Sequence, residues 1–179
     1  MLINFTPFPN LETQRLYLRQ LTIDDADEIF QLRSDEHVNE FLDRRRAKAI
    51  EDALQHIEKI NNGIQNNESI LWAVTRKGES KLIGTVCLWN IVKEKNFAET
   101  GYELLPQFEG KGFMQEAFSK VIEYSFENLK LKIIEAWLHE KNLRSKKLLE
   151  KNNFTRNFDA ESEINKTENA NLMIYSLKR

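Results

Sequence analysis

Leu16 and Leu18 alternate with Arg15, Tyr17 and Arg19, which predicts a half-buried strand over residues 11–21 with a charged outer face. Thr22 and Asp24-Asp25 then supply cap residues and first-turn carboxylates for a helix running to about residue 33. Ser34-Asp35 reads as a second cap and predicts a short helix over 34–41. Ile50, Ala53, Leu54, Ile57 and Ile60 mark a third helix from 47 to about 60, with Gly63 suited to its end. After Gly63 the period drops to two. Strands are predicted over 69–76 and 82–92 around a Lys77-Gly78-Glu79-Ser80 turn, and a third strand ends at Pro106. Three strands at such short spacing form an antiparallel meander. Phe113, Ala117, Val121 and Tyr124 return to helical spacing over 112–128. A strand over 132–139, a helix over 142–151 and strands near 154–158 and 172–177 complete the order, the last two joined by a polar loop over 159–170. No repeat or linker interrupts it, so one α+β domain over 1–179 is expected.

Composition narrows the partners. With 41% apolar and 30% charged residues and a formal charge of −2, the chain has no general attraction for nucleic acid or an anionic membrane. No apolar run reaches membrane-spanning length. The N-terminus lacks the basic region and apolar core of a signal peptide. Cys87 is the one cysteine, which fits a reducing compartment, so the expected location is cytoplasmic. Its strand context, Gly84-Thr85-Val86-Cys87-Leu88-Trp89, marks a buried inert thiol. His37, His56 and His139 are scattered without ligand spacing, and no metal is expected.

Candidate chemistry centres on Pro106 to Ala117. Proline stops a strand, Gly110 and Gly112 let backbone approach a ligand closely, and a helix starts behind them. A helix N-terminus so placed presents unpaired N–H groups to an anion, phosphate above all. Taken alone, Gly-Lys-Gly between a strand and a helix is more often plain turn chemistry than a phosphate cradle. A Walker-type loop is excluded because no Ser or Thr follows Lys111.

Three stretches in register resemble the GNAT N-acetyltransferases, in the branch that acetylates ribosomal-protein N-termini. Leu11-Glu12-Thr13-Gln14-Arg15-Leu16-Tyr17-Leu18-Arg19 resembles that branch's opening, with Gln14 in place of Glu. Ala98 to Pro106 followed by Gly110-Lys111-Gly112 resembles its acetyl-CoA motif. Asn142-x-x-Ser145-x-x-Leu148-Leu149-Glu150-Lys151-x-x-Phe154 resembles its later helix, with Asn153 at the usual glycine. The phosphate signature fits in two registers. One runs from Gln107 to Gly112; the other, which the spacing from Pro106 favours, puts Glu109 at the Gln/Arg position and Met114 at the last small residue. In that second register Glu109 should turn its carboxylate to solvent and offer only its N–H.

The resemblance implies a mostly antiparallel mixed sheet of about six or seven strands, flanked by helices and splayed where acetyl-CoA inserts. Acetyl-CoA would be the cosubstrate, held by Leu104, Leu105, Glu109, Gly110, Lys111, Gly112, Phe113, Met114 and Asn142. The Leu104 N–H would face the thioester oxygen, and Ser145 would protonate the leaving thiolate. Asn142 also reads simply as an N-cap. Glu99 and Glu103, four apart on one strand, are the candidate bases. The acceptor is expected to be a primary amine, foremost a protein or peptide α-amine. A small amine such as a polyamine, amino acid or aminoglycoside is the alternative, as is a non-catalytic acyl-CoA-binding module. A monomer or homodimer is expected, with no nucleic-acid or membrane partner.

Overall fold

Thr13 breaks the first predicted strand in two. Its N–H donates to the Leu16 carbonyl at 3.0 Å and its hydroxyl accepts the Leu16 N–H at 2.9 Å, closing a tight turn. Strand β1 (Leu11–Glu12) therefore folds back on β2 (Leu16–Arg19), pairing Leu11 with Leu18. This computed structural model describes residues 3–164 and 172–179.

Buried Asp25 closes the next corner by accepting the Thr22 N–H at 2.8 Å and both terminal nitrogens of Arg19. Helix α1 (Ala26–Ser34) follows. The short helix expected over 34–41 does not form; residues 36–41 are turns. Side chains there take the backbone partners that a helix needs. The Asp35 carboxylate accepts the Val38 N–H at 2.9 Å, and the buried Asn39 amide donates to the Leu32 and Asp35 carbonyls. Helix α2 (Ile50–Gln65) starts later and runs past Gly63. A Cβ on Gly63 would sit 2.7 Å from Ser69 Oγ, so this glycine serves close packing rather than helix termination.

The meander forms as β3 (Ile70–Arg76), β4 (Leu82–Val92) and β5 (Phe97–Leu104). Helix α3 (Phe113–Glu127), β6 (Ile133–His139) and α4 (Leu143–Lys151) follow. Of the strand predicted near 154–158 only β7 (Thr155–Arg156) forms. The expected loop begins as a helix, α5 (Phe158–Ile164), and the remainder of that loop lies outside the described residues. Strand β8 (Leu172–Lys178) ends the sheet. Its order is β1-β2-β3-β4-β5-β6-β8-β7, eight strands rather than six or seven, antiparallel throughout except for β5 beside β6.

Alternation along the strands builds two cores. Trp72, Val86, Leu88, Ala98, Ile134 and Ala136 meet Ala117 and Phe118 of α3 and Leu149 of α4 on one face. Leu71, Ala73 and Leu82 meet Ile29 and Leu32 of α1 and Ala53 and Ile57 of α2 on the other. No helix among the described residues is long and apolar enough to cross a membrane.

Candidate active site

Strands β5 and β6 pair only at Phe97–Ile133, Ala98–Ile134 and Glu99–Glu135. Beyond those pairs β5 runs on to Leu104 and β6 to His139 without bonding each other, so the sheet opens into a V. Backbone direction alternates along a strand, and the Leu105 N–H donates to Ile83 on the β4 side at 2.9 Å. The N–H groups of Leu104 and Tyr102 therefore face the gap. Both main-chain groups of Leu105 are engaged, since its carbonyl accepts the Phe108 N–H at 2.9 Å. Leu105, expected to pair with the ligand, thus has both main-chain groups engaged, whereas the Tyr102 N–H faces the gap beside that of Leu104.

Next to the gap lies the turn before α3. Gly110 and Gly112 hold φ of +73° and +76°, values that a side chain resists. The Glu109 N–H is used internally, donating to Pro106 at 3.1 Å, so the expected contribution from this amide is not available. The first backbone bond of α3 is Glu116 N–H to Gly112. From Gly110 to Gln115, including Lys111, Phe113 and Met114, the N–H groups have no acceptor among the described residues, and the helix dipole adds positive potential at that point. Such a cradle fits a pyrophosphate. The Lys111 ammonium is tied back to the Gln107 carbonyl at 2.8 Å.

The opening Thr-x-Arg sequence has its explanation here. Glu116, in the first turn of α3, accepts from the Thr13 hydroxyl, the Arg15 N–H at 2.8 Å and Arg15 Nε at 2.6 Å. Arg15 Nη1 also donates to the Lys111 carbonyl at 3.1 Å, and its guanidinium lies 4.7 Å over Phe113. Burial opposes charge on Glu116, but these bonds outweigh it and draw its pKa below the usual carboxylate range. Arg15 and Glu116 thus hold the cradle to the sheet. The sequence signal was the Thr-x-Arg spacing, whose partner lay a hundred residues away.

Asn142 is the N-cap of α4 and accepts the Ser145 N–H through Oδ1 at 3.1 Å. Its Nδ2 makes no bond among the described residues and can serve a ligand amide. The Ser145 hydroxyl has no partner among the described residues either. The Tyr102 hydroxyl, pushed up to about 12 by burial, reaches the Ser145 carbonyl at 3.4 Å. These residues belong to β5 and α4, the two sides of the V.

On the α1–α2 face, Glu99, Gly101 and Glu103 follow one another along β5. Arg44 grips both Glu103 oxygens, with Nη2 to Oε2 at 3.0 Å, while its Nε donates to Asn39 at 2.7 Å. Glu99 is buried and accepts from Asn90 Nδ2. Burial, countered by the Asn90 bond and reinforced by Glu135, raises its pKa. Glu109 does not simply face solvent. Arg44's neighbours on the same loop, His37 and Phe41, reach across the V: His37 Nε2 lies 3.2 Å from Glu109, whose carboxylate Arg144 grips at 2.7 and 2.9 Å, and Phe41 stacks on His139 at 5.6 Å. The Cys87 thiol is pushed to about 12 by burial and then by Glu103, which keeps it inert. Among the described residues no group of three or more His, Cys, Asp or Glu could hold a metal ion.

Residues 15–155 match the family model described as an acetyltransferase (GNAT) domain. The chain belongs to the GNAT acetyltransferase family. It is 36% identical to the uncharacterized N-acetyltransferase YoaA of Bacillus subtilis (strain 168), over 83% of this chain and 84% of that protein. Two solved GNAT-like structures share its fold. Ribosomal-protein-S5-alanine acetyltransferase from Vibrio fischeri superposes with a TM-score of 0.77 at 23% identity, covering 95% of this chain and 96% of its own. RimL, a ribosomal L7/L12 alpha-N-protein acetyltransferase in complex with coenzyme A, gives 0.81 at 15% identity, covering 95% and 98%. In this GNAT chain, the opened sheet between β5 and β6 and the glycine turn before α3 lie side by side.

Proposed function

We propose that this protein moves the acetyl group of acetyl-CoA directly to the α-amine of a protein or peptide N-terminus. The pantetheine arm would enter the V as an extra strand against Tyr102 and Leu104, with its pyrophosphate over Gly110 to Met114. The neutral amine attacks the thioester carbon, and negative charge collects on the carbonyl oxygen beside the Leu104 N–H. The C–S bond then breaks; the thiolate takes a proton from the Ser145 hydroxyl, which regains one from the attacking nitrogen through water, leaving the neutral amide and the free thiol of coenzyme A. A thiol of pKa about 8.5 leaves readily, so this last proton is a modest aid.

The observation that carries the preference for an α-amine is the Arg44–Glu103 pair. Glu103 is the carboxylate beside the gap-facing N–H groups, and the Arg44 guanidinium occupies both of its oxygens, so neither is turned to an incoming amine. Glu99 lies three to five residues back along β5, about 10–17 Å away at ~3.4 Å per residue. With water as proton acceptor, the enzyme depends on an amine that is already partly neutral. At pH 7 an α-amine exceeds a lysine in neutral fraction by roughly two to three powers of ten. The names of the two ribosomal-protein neighbours agree with this reading.

The test compares kcat/KM between pH 6.5 and 9.5 for a peptide with a free N-terminus and the same peptide blocked there but carrying a lysine. The free α-amine should win at neutral pH. A lysine peptide that wins there would require a strong base and overturn the proposal.

A further inference from the structure

Beyond Cys87 the core under α1 and α2 ends, and the same sheet face continues across β4, β5 and β6 without apolar cover among the described residues. Trp89 pairs in register with Glu99, Glu99 with Glu135, and Trp137 follows Glu135 two residues on, so all four side chains share this face. Ile134, Ala136 and Leu138 point into the opposite core, in keeping with that alternation.

Two features of this row are costly unless something binds there. Glu99 and Glu135 are like charges directly opposite one another, an arrangement that destabilises a sheet. Neither has an ion-pair partner among the described residues. Each has one oxygen held, Glu99 by Asn90, and Glu135 by Asn157 at 3.1 Å and Ser176 at 2.7 Å. The second oxygen of each makes no hydrogen bond among the described residues, and neither is fully shut off from water, although Glu99 as a whole is only 5% exposed. The second feature is aromatic: Trp89 is 50% and Trp137 39% exposed, flanking the carboxylates. Indole attracts cations through its ring face, more strongly as water is excluded. The basic groups on the neighbouring wall are otherwise engaged: Arg44 is taken by Glu103, Arg33 lies among Arg44, Glu103 and Asp52, and His56, its pKa lowered to about 4 by burial, is neutral near pH 7.

We propose that Trp89, Glu99, Glu135 and Trp137 form a subsite for a second positive charge on the acceptor, the lysine or arginine side chain of the second or third residue of a peptide. This rests on the reading of the protein as an N-terminal acetyltransferase. The spacing fits: the subsite lies about 10–17 Å from the Tyr102 and Leu104 N–H groups, and an extended chain advances about 3.3–3.6 Å per residue before its side chain adds more. Ionised carboxylates attract the cation, and the cation in turn relieves their mutual repulsion.

The test separates binding from turnover. Calorimetric titration with coenzyme A present compares two C-terminally amidated peptides, Ser-Ala-Lys-Ala-Ala and its norleucine counterpart, near pH 7.5 at low salt. The lysine peptide should bind about tenfold more tightly, the combined reach of a cation–aromatic contact and a partly shielded ion pair. Glu135→Gln keeps an oxygen for Asn157 and Ser176 and should bring the ratio close to one. Trp89→Leu, at a half-exposed position, should lower it several-fold and serves if the first variant folds poorly. Equal binding by the wild-type protein, or a ratio unchanged in both variants, overturns the subsite. Thiol release from acetyl-CoA is followed in parallel. Release with neither peptide counts against the N-terminal reading, while the binding ratio still decides the subsite.

Discussion

Asn142 shows how one side chain can satisfy both a structural and a functional reading. Its Oδ1 caps α4, which leaves Nδ2 for a ligand, so the N-cap reading and the acetyl-CoA reading do not compete. Ser145 sits on the first turn that this cap secures. Ser145→Ala is expected to lower kcat by roughly ten- to a thousandfold with little change in acetyl-CoA affinity, measured by steady-state kinetics and direct titration. An unchanged kcat would leave Ser145 a structural residue. Glu99 and Glu103 look equivalent in the sequence, four apart on one strand. Arg44 on the α1–α2 loop and Glu135 across the sheet make them different, one locked in an ion pair and the other buried beside a like charge.

The α3 N-terminus is the element on which the proposed acetyl-CoA binding depends. Its donors point outward because Gly112 adopts positive φ, a conformation that costs an ordinary residue about 1–2 kcal/mol. Gly112→Val should therefore remove the rise in melting temperature that acetyl-CoA produces in the wild-type protein. The apo variant should stay folded, its melting temperature lower by several degrees at about 2–4 °C per kcal/mol. A ligand-induced shift equal to wild type would place the cradle elsewhere. Local chemistry made this element readable: proline, two glycines and a periodic apolar face lie within a short stretch. The short helix expected after α1 failed for an equally physical reason. Its polar side chains found backbone and Arg44 partners that only the folded loop brings near.

At the scale of the molecule, the α1–α2 layer places cations against His56. Burial first, then Arg33, Arg44 and Lys59, lower its pKa to about 4. The unfolded chain, with an ordinary histidine pKa of about 6.5, binds this proton more readily than the folded one. The stabilising effect of a neutral His56 is thus complete above about pH 6.5 and is lost as pH falls toward 4. The loss amounts to at most ~3 kcal/mol, and less after solvent screening. Melting temperature should fall between pH 7 and 5, and His56→Gln should flatten that fall; parallel curves would assign the acid sensitivity to other groups. Glu116 acts in a lower window, since its depressed pKa contributes above about pH 4.3 and is lost only as pH drops further. The sequence by itself determined most of the order of helices and strands, apart from the turns over 36–41, the break at Thr13 and helix α5, together with the glycine turn before α3 and the capping asparagine, because periodicity, φ preference and capping depend on residues a few positions apart. Tertiary structure alone decided that β5 and β6 part after Glu99 and Glu135, that Arg15 and Glu116 pin the cradle, and that Arg44 locks Glu103. Those features join residues tens to a hundred positions apart, and only the order of strands in the sheet brings such residues together.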